Sequence, residues 1–457
     1  MLSLFSFTLA AATVAADPLS ADTMLTFQGS VAKLEADRTP GEAQKTFDLY
    51  LFVAQRGKEG TKVHWFIDES GRGRWPWTER FGSLSLDAHF KATGRGPSLL
   101  YDHDDGTSTL PVVAPFLVRP DGKPLAADDK WTEDSDDNRS RGRWQFHAEK
   151  SVRREGRDTW QVQVSNNYGW QRTLWVDRAS PIVVLTHQRV FMGMGQEYLL
   201  QTALKETVVL TGEEKGAWTK GMPALLELRE KLKIADRAEE LQYSAKQLAL
   251  LQEDLPAVQT AITSEPLVKL VRGIRRDLVT QSDRAGALEK LAAEHQGKPA
   301  PKFELSGLAG AKLASADLKG QVTVLHFWDY TDSPLKQPYG QVGYLDFLYS
   351  RRKADGVKVY GVAVNRRLAE AAERDGAVRG VRRLVNFMNL TYPVLLDDGQ
   401  AIKAFGDPRL LGADLPLYVV IGRDGKVAHY KAGYYEIDRV EGLKELGAVL
   451  DGQLKKR

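Results

Sequence analysis

The chain of 457 residues contains no cysteine. That absence removes disulfides, cysteine zinc sites, iron–sulfur clusters and every thiolate nucleophile. It does not fix a compartment, because a cysteine-free chain is indifferent to the redox poise around it. Charge of one sign is also missing: 63 Lys and Arg face 60 Asp and Glu, for a net of +3. A balance this even leaves no footprint for nucleic acid or for an anionic membrane surface. No stretch beyond the N-terminus approaches the roughly 18 apolar residues of a membrane span. The sequence shows no phosphate-cradling glycine loop and no paired carboxylates at usable spacing. No cofactor and no metal is expected from these patterns.

Hydrophobic content of 42% and charged content of 27% are those of a globular chain, and the length suggests two or three domains. Leu2 to Ala16 carries no charge and ends Ala-Thr-Val-Ala-Ala before Asp17-Pro18. An apolar stretch closing on small residues has the pattern of a secretory signal, here without a basic leading region. Residues 1–16 are therefore expected to be a signal peptide, and the protein to be exported to the periplasm or cell envelope.

Residues 17–215 read as a β-rich antiparallel domain. Alternating runs such as Phe47 to Val53, Lys62 to Ile67, Trp160 to Val164, Arg172 to Asp177, Ile182 to Thr186 and Glu197 to Leu204 are punctuated by Gly, Pro and Asp. Eight of the ten Trp lie between positions 65 and 175, which suits either a half-buried β-core or a ligand groove. Residues 216–298 read as a helical connector, rich in Ala, Leu, Glu, Lys and Arg at three- and four-residue spacing. Pro223, Pro256 and Pro266 are expected to break it into separate helices. Residues 299–457 alternate strand and helix, which implies an α/β sheet with helices on its faces.

One motif stands out in that last segment. Val322-Thr-Val-Leu-His-Phe-Trp328 is an apolar strand, followed by a polar turn, Asp329 to Ser333, and then Pro334-Leu335. With Gly297-Lys-Pro-Ala-Pro-Lys-Phe303 before it, and Gly356 to Val364, Tyr392-Pro-Val-Leu-Leu-Asp397, Ala401 to Phe405 and Leu415-Pro416 through Lys426 after it, this resembles the TlpA-like, redoxin-like branch of the thioredoxin superfamily. About 155 residues carry the resemblance. It implies an α/β thioredoxin fold, a Cys-x-x-Cys at Asp332, Ser333, Pro334 and Leu335, and a cis-proline at Pro416. Both cysteine positions are substituted. Asp332 suits the N-cap of the following helix, where a carboxylate accepts from free backbone N–H groups.

The resemblance also implies a peptide groove lined by Trp328, Tyr330, Leu335, Leu415 and Pro416. An extended polypeptide can pair with such an edge through its main chain without any thiol. His326 occupies the strand position where thioredoxins proper keep a buried acid. It reads either as a core histidine or as a polar pair with Asp332.

The β-rich segment is harder to place. Leu174 to Val184 with Phe191-Met-Gly-Met-Gly195 is weakly similar to the half-barrel of LolA-like carriers. Trp75-Pro-Trp77 is a distinctive loop without an evident role. Asp102-His-Asp-Asp105 and Trp131 to Asn138 read as solvated acidic turns rather than metal sites. The leading expectation is a non-catalytic binding or scaffold protein of the cell envelope that meets a polypeptide partner. The alternatives are a TlpA-like thiol–disulfide oxidoreductase, and a carrier of apolar ligands through the β domain.

Overall fold

A computed structural model describes residues 19–104, 106–134, 143–234, 238, 241–308, 310–330 and 339–456. The expected signal peptide, Asp105, Ser135 to Asn138 and the Asp332–Leu335 tetrapeptide lie outside the described residues. The chain divides into two compact units, residues 1–278 and 279–457.

Strands β1 (Thr23–Leu34), β2 (Pro40–Gly57), β3 (Gly60–Gly71), β4 (Phe81–Leu86) and β5 (Ala92–Gly94) form an antiparallel meander. A hairpin of β6 (Ser98–His103) and β7 (Gly106–Pro111) forms its own two-stranded sheet. A second meander follows: β8 (Asp129–Asp134), β9 (Arg143–Arg154), β10 (Arg157–Asn166), β11 (Gly169–Asp177), β12 (Val183–Met192) and β13 (Gln196–Val209). β1 pairs with β13, which joins the two meanders into one eleven-stranded antiparallel sheet. Turn chemistry fixes the register locally. Between β9 and β10, Glu155 and Gly156 both take positive φ, the backbone that a two-residue hairpin turn requires.

Near β2 and β3 the sheet is buried on both faces. Phe47, Leu49 and Leu51 point to one core, while Phe52 and Phe66 meet Trp218 and its neighbours on the other. That second face is covered by α1 (Gly212–Leu232), α2 (Ala245–Ala261) and the first turns of α3 (Glu265–His295). The prolines do not break these helices as the sequence suggests. Pro223 lies inside α1, Pro256 inside α2, and Pro266 in the first turn of α3. An interior proline costs about 3 kcal/mol. Burial of Trp218, Met222, Leu225 and Leu228 around Pro223, and of Leu251, Leu255 and Val258 around Pro256, offsets it. The segments around Leu267–Leu278 and Arg284–His295 are one continuous helix.

The second unit contains β14 (Glu304–Gly307), β15 (Lys312–Ala314), β16 (Thr323–Asp329), α4 (Val342–Arg352), β17 (Lys358–Val364), α5 (Ala371–Phe387), β18 (Val394–Asp397), α6 (Gln400–Ala404), β19 (Leu417–Ile421), β20 (Val427–Ala432) and α7 (Lys444–Leu454). The sheet order is β15-β14-β18-β17-β16-β19-β20, with β16, β17 and β18 parallel and β19 antiparallel to β16. One core lies against α4, α5 and α7. The other lies against α6 and the end of α3. The molecule is thus multidomain: a β-rich antiparallel part, a helical segment, and a C-terminal thioredoxin-like α/β sheet.

Candidate functional site

The strand that carries the motif runs through the middle of the second sheet. Its apolar run is buried from Thr323 to Trp328, as a strand covered on both faces must be. His326 pairs with Gly361 on β17 and Tyr418 on β19. Its ring is wholly buried and stacks on Tyr418 with centroids 4.5 Å apart. Burial pushes its pKa down to about 3, opposed weakly by the Gly340 backbone. Neither ring nitrogen has a well-formed hydrogen bond among the described residues. This histidine is neutral at ordinary pH and belongs to an aromatic core. Its expected counterpart, Asp332, lies outside the described residues.

Around that core is a hydrogen-bonded network. Tyr418 donates its hydroxyl to Gln341 Oε1 at 2.9 Å, which also accepts from Tyr435 N at 3.1 Å. Gln341 Nε2 donates to the Tyr435 carbonyl at 2.7 Å. The Tyr435 hydroxyl meets His429 Nε2 at 2.8 Å. Gln341 holds a left-handed backbone with φ 61, which these three bonds stabilise. Burial raises the pKa of Tyr418 and Tyr435 and lowers that of His429, so all three stay neutral.

On the other side, Asn365 Nδ2 donates to the Tyr330 carbonyl at 3.0 Å. Arg409 bridges Asp407 at 2.7 Å and Asp329 at 2.9 Å. Burial works against ionisation of Asp407, yet the Arg409 hydrogen bonds hold its carboxyl below the usual range. Buried Asp397 accepts from Gly399, Ala401 and Ile402 N–H at 2.9 to 3.0 Å and so caps α6. The backbone is therefore anchored on both sides of the motif turn, at Tyr330 by Asn365 and at Gln341 by Tyr418 and Tyr435.

The Leu415–Pro416 peptide bond is cis. Trp328, Tyr330, Leu415 and Pro416 are all buried, and Leu335 lies outside the described residues. The Pro416 carbonyl accepts from Gly433 N at 2.7 Å. The Leu415 backbone meets no hydrogen-bond partner among the described residues. Leu411, shortly before Leu415 in the chain, and Tyr434, next to the Gly433 that bonds Pro416, remain partly exposed. The sequence reading missed Gln341, Tyr435, Asn365 and Arg409, whose only local signal is the Gly433-Tyr-Tyr435 cluster after β20.

The Trp75-Pro-Trp77 loop acquires a structural role in the first unit. Glu69, ion-paired with Lys45 at 2.9 Å, accepts from Trp75 N. Trp77 Nε1 donates to the Tyr243 hydroxyl at 2.6 Å, and Tyr243 donates to Asp277 at 2.9 Å. The loop thus ties the sheet to the helices and borders a cavity of about 350 Å³ beside Arg74, Arg80 and Arg276. Asp102 and His103 bond Thr107 and Ser108 across the β6–β7 turn. Among the described residues no cluster of three metal-ligating side chains occurs.

The AhpC/TSA family matches residues 296–430. The thiol-disulfide oxidoreductase ResA of Bacillus thuringiensis (strain Al Hakam) is 32% identical over 151 residues, covering 33% of this chain and 78% of ResA. A ResA of Bacillus cereus is 30% identical over 146 residues, covering 32% of this chain and 75% of that protein. Among solved structures, a putative thiol:disulfide interchange protein DsbE of Chlorobium tepidum is 22% identical, covers 35% of this chain and 97% of its own, and superposes with a TM-score of 0.26. Each likeness falls on about a third of the chain. By that third, the chain belongs to the AhpC/TSA redoxins of the thioredoxin superfamily, in their TlpA-like branch, and it does so without a cysteine.

Proposed function

We propose that this protein is an exported, non-catalytic member of its family that holds an extended polypeptide beside Leu415 and Pro416 in the cell envelope. The observation that carries the reading is the Leu415 backbone, which has no hydrogen-bond partner among the described residues, next to the cis peptide in a chain with no thiol. An N–H and carbonyl without partners among the described residues, at a strand end, can add an extended segment by main-chain hydrogen bonds. Tyr434, next to the Gly433 that bonds the Pro416 carbonyl, offers exposed aromatic surface near it. Trp328, Tyr330 and Pro416 back the site from the core. Residues 17–215, 216–298 and 299–457 act as β-rich domain, connector and binding domain.

The test uses the full chain on a resin, exposed to envelope extract of the source cells. The wild type is expected to retain a defined polypeptide that Leu415→Arg releases. An identical set retained by both forms overturns the site. Insulin reduction by dithiothreitol is expected to run no faster with the protein present; clear acceleration overturns the non-catalytic reading. Export predicts that the chain recovered from cells has lost about its first 16 residues. An intact N-terminus in a cytoplasmic fraction removes that part of the proposal.

A further inference from the structure

The loop from Arg72 to Trp77, between β3 and β4, is fixed by buried charge. Lys45 and Glu69 are ion-paired at 2.9 Å with neither side chain exposed. Lys45 Nζ donates to the Gly73 carbonyl at 2.5 Å and reaches the Arg72 carbonyl at 3.4 Å, while Glu69 accepts from Trp75 N. Gly73 takes φ 70 and lies so close to β6 that a Cβ would come within 2.8 Å of the Leu100 carbonyl and of Asp102 N. A buried ion pair adds little stability over apolar residues of the same volume. What this one provides is a single backbone conformation for Arg74 and Trp75.

Arg74, Trp75, Pro76, Trp77 and Arg80 wall the cavity of about 350 Å³, and Gly273 and Arg276 of α3 also line it. Sites for small molecules begin at roughly 300 Å³. A Cβ at Gly273 would meet no atom within 4 Å, so the space beside the helix is open. Charge in the lining is uneven. Arg74 and Arg80 share one carboxylate: Asp68 bonds Arg80 at 2.5 Å and stands 3.9 Å from Arg74. Burial and the neighbouring Arg74 charge both press the Arg80 pKa down, so the two guanidiniums repel. Arg276 and Asp277, the other charged groups of the lining, are of opposite sign. One positive charge is left over, at Arg74.

We infer that this cavity binds a small aromatic carboxylate, with its charged end at Arg74 and its ring against the Trp75-Pro76-Trp77 wall. The planar guanidinium matches a carboxylate in fork geometry, and a flat ring can lie against indole surface. One surplus cation specifies one negative charge. The clamped loop holds Arg74 in place before the ligand arrives, which lowers the entropy cost of binding.

Calorimetric titration of the full chain with benzoate, with benzamide and with acetate tests this. Benzamide keeps the shape and lacks the charge; acetate keeps the charge and lacks the ring. The wild type is expected to bind benzoate at least about ten-fold more tightly than either. Arg74→Met is expected to lose the preference over benzamide at an unchanged melting temperature, since the Arg74 side chain is 58% exposed. Arg74→Lys keeps the charge but not the fork, and is expected to weaken benzoate several-fold. Gly273→Leu fills the cavity from the helix side and is expected to abolish benzoate binding, with a melting temperature at or above the wild type because leucine is the better helix former. Should that variant fail to fold, Arg74→Met decides alone. Arg272→Gln, on the same helix but paired with Glu265 at 3.8 Å, is expected to leave binding unchanged. Equal binding of benzoate and benzamide, no binding of benzoate, or unaltered binding in a folded Gly273→Leu overturns the site. An intact preference in Arg74→Met overturns the role of that arginine, and acetate binding as tightly as benzoate overturns the aromatic wall.

Discussion

His326 and Arg172 pose the same problem in the two halves of the molecule and solve it differently. Each is an ionisable ring or fork laid against an aromatic side chain, Tyr418 in one case and Trp144 in the other. The His326 ring nitrogens have no hydrogen-bond partner among the described residues, while Arg172 is only partly buried. Histidine answers burial by giving up its proton, and its pKa falls to about 3. Arginine has no such exit and stays charged. The buried His326 is thus stable as core, whereas Arg172, which stays partly exposed, keeps its charge. Lys45 and Glu69 show a third solution, a wholly buried ion pair at 2.9 Å.

The largest effect should come from breaking that third solution. Lys45→Met leaves Glu69 buried with its opposite charge gone. Removal of one member of a buried pair typically costs about 3–5 kcal/mol. Urea unfolding of the variant should show a loss of that order, with the Trp75 loop released early because Glu69 also holds Trp75 N. A loss below about 1 kcal/mol would place the pair with surface bridges and remove the contrast.

Acid sharpens the histidine side. The folded pKa of His326 lies below its unfolded value of 6.5, so the unfolded chain binds the extra proton. Stability from keeping this ring neutral is present above pH 6.5 and is lost as pH falls toward 3. The slope approaches about 1.4 kcal/mol per pH unit in that window. His326→Phe retains the stack on Tyr418 and removes the titration. Its unfolding free energy, followed against the wild type from pH 7 to pH 4, should decline less steeply. Parallel curves would show that His326 takes up a proton in the folded state, and the comparison with Arg172 would fail.

The parts of this molecule that could be read from its sequence are those written in short-range patterns. β16, β17 and β19 are continuous apolar runs, and the Leu415-Pro416 strand start is a fixed local motif. The helices were less legible, because proline propensity is local while the burial of Trp218 and Leu251 that overrides it is not. The pairing of Arg172 with Gln188 depends on the register of β11 against β12, and a glutamine in a strand gives no hint of what faces it. His326 was visible as a residue, but its neighbour was not. A pairing with Asp332 follows from closeness in sequence, whereas the stack on Tyr418 comes from a strand far along the chain.

The smallest expected effect tests whether the core around His326 is held by packing or by polar bonds. Tyr418→Phe preserves the ring that stacks on His326 and deletes the hydroxyl that donates to Gln341 at 2.9 Å. Gln341 Oε1 still accepts from Tyr435 N, so one of its two bonds survives and no carbonyl oxygen is stranded. The cost should therefore be about 0.5–1.5 kcal/mol, the net value of one hydrogen bond, and independent of pH between 5 and 8. A loss of about 3 kcal/mol or more would mean that the hydroxyl organises the left-handed turn at Gln341, which leads back toward the motif segment. In that case the network, rather than the aromatic stack, is what keeps the redoxin scaffold in shape where its cysteines are gone.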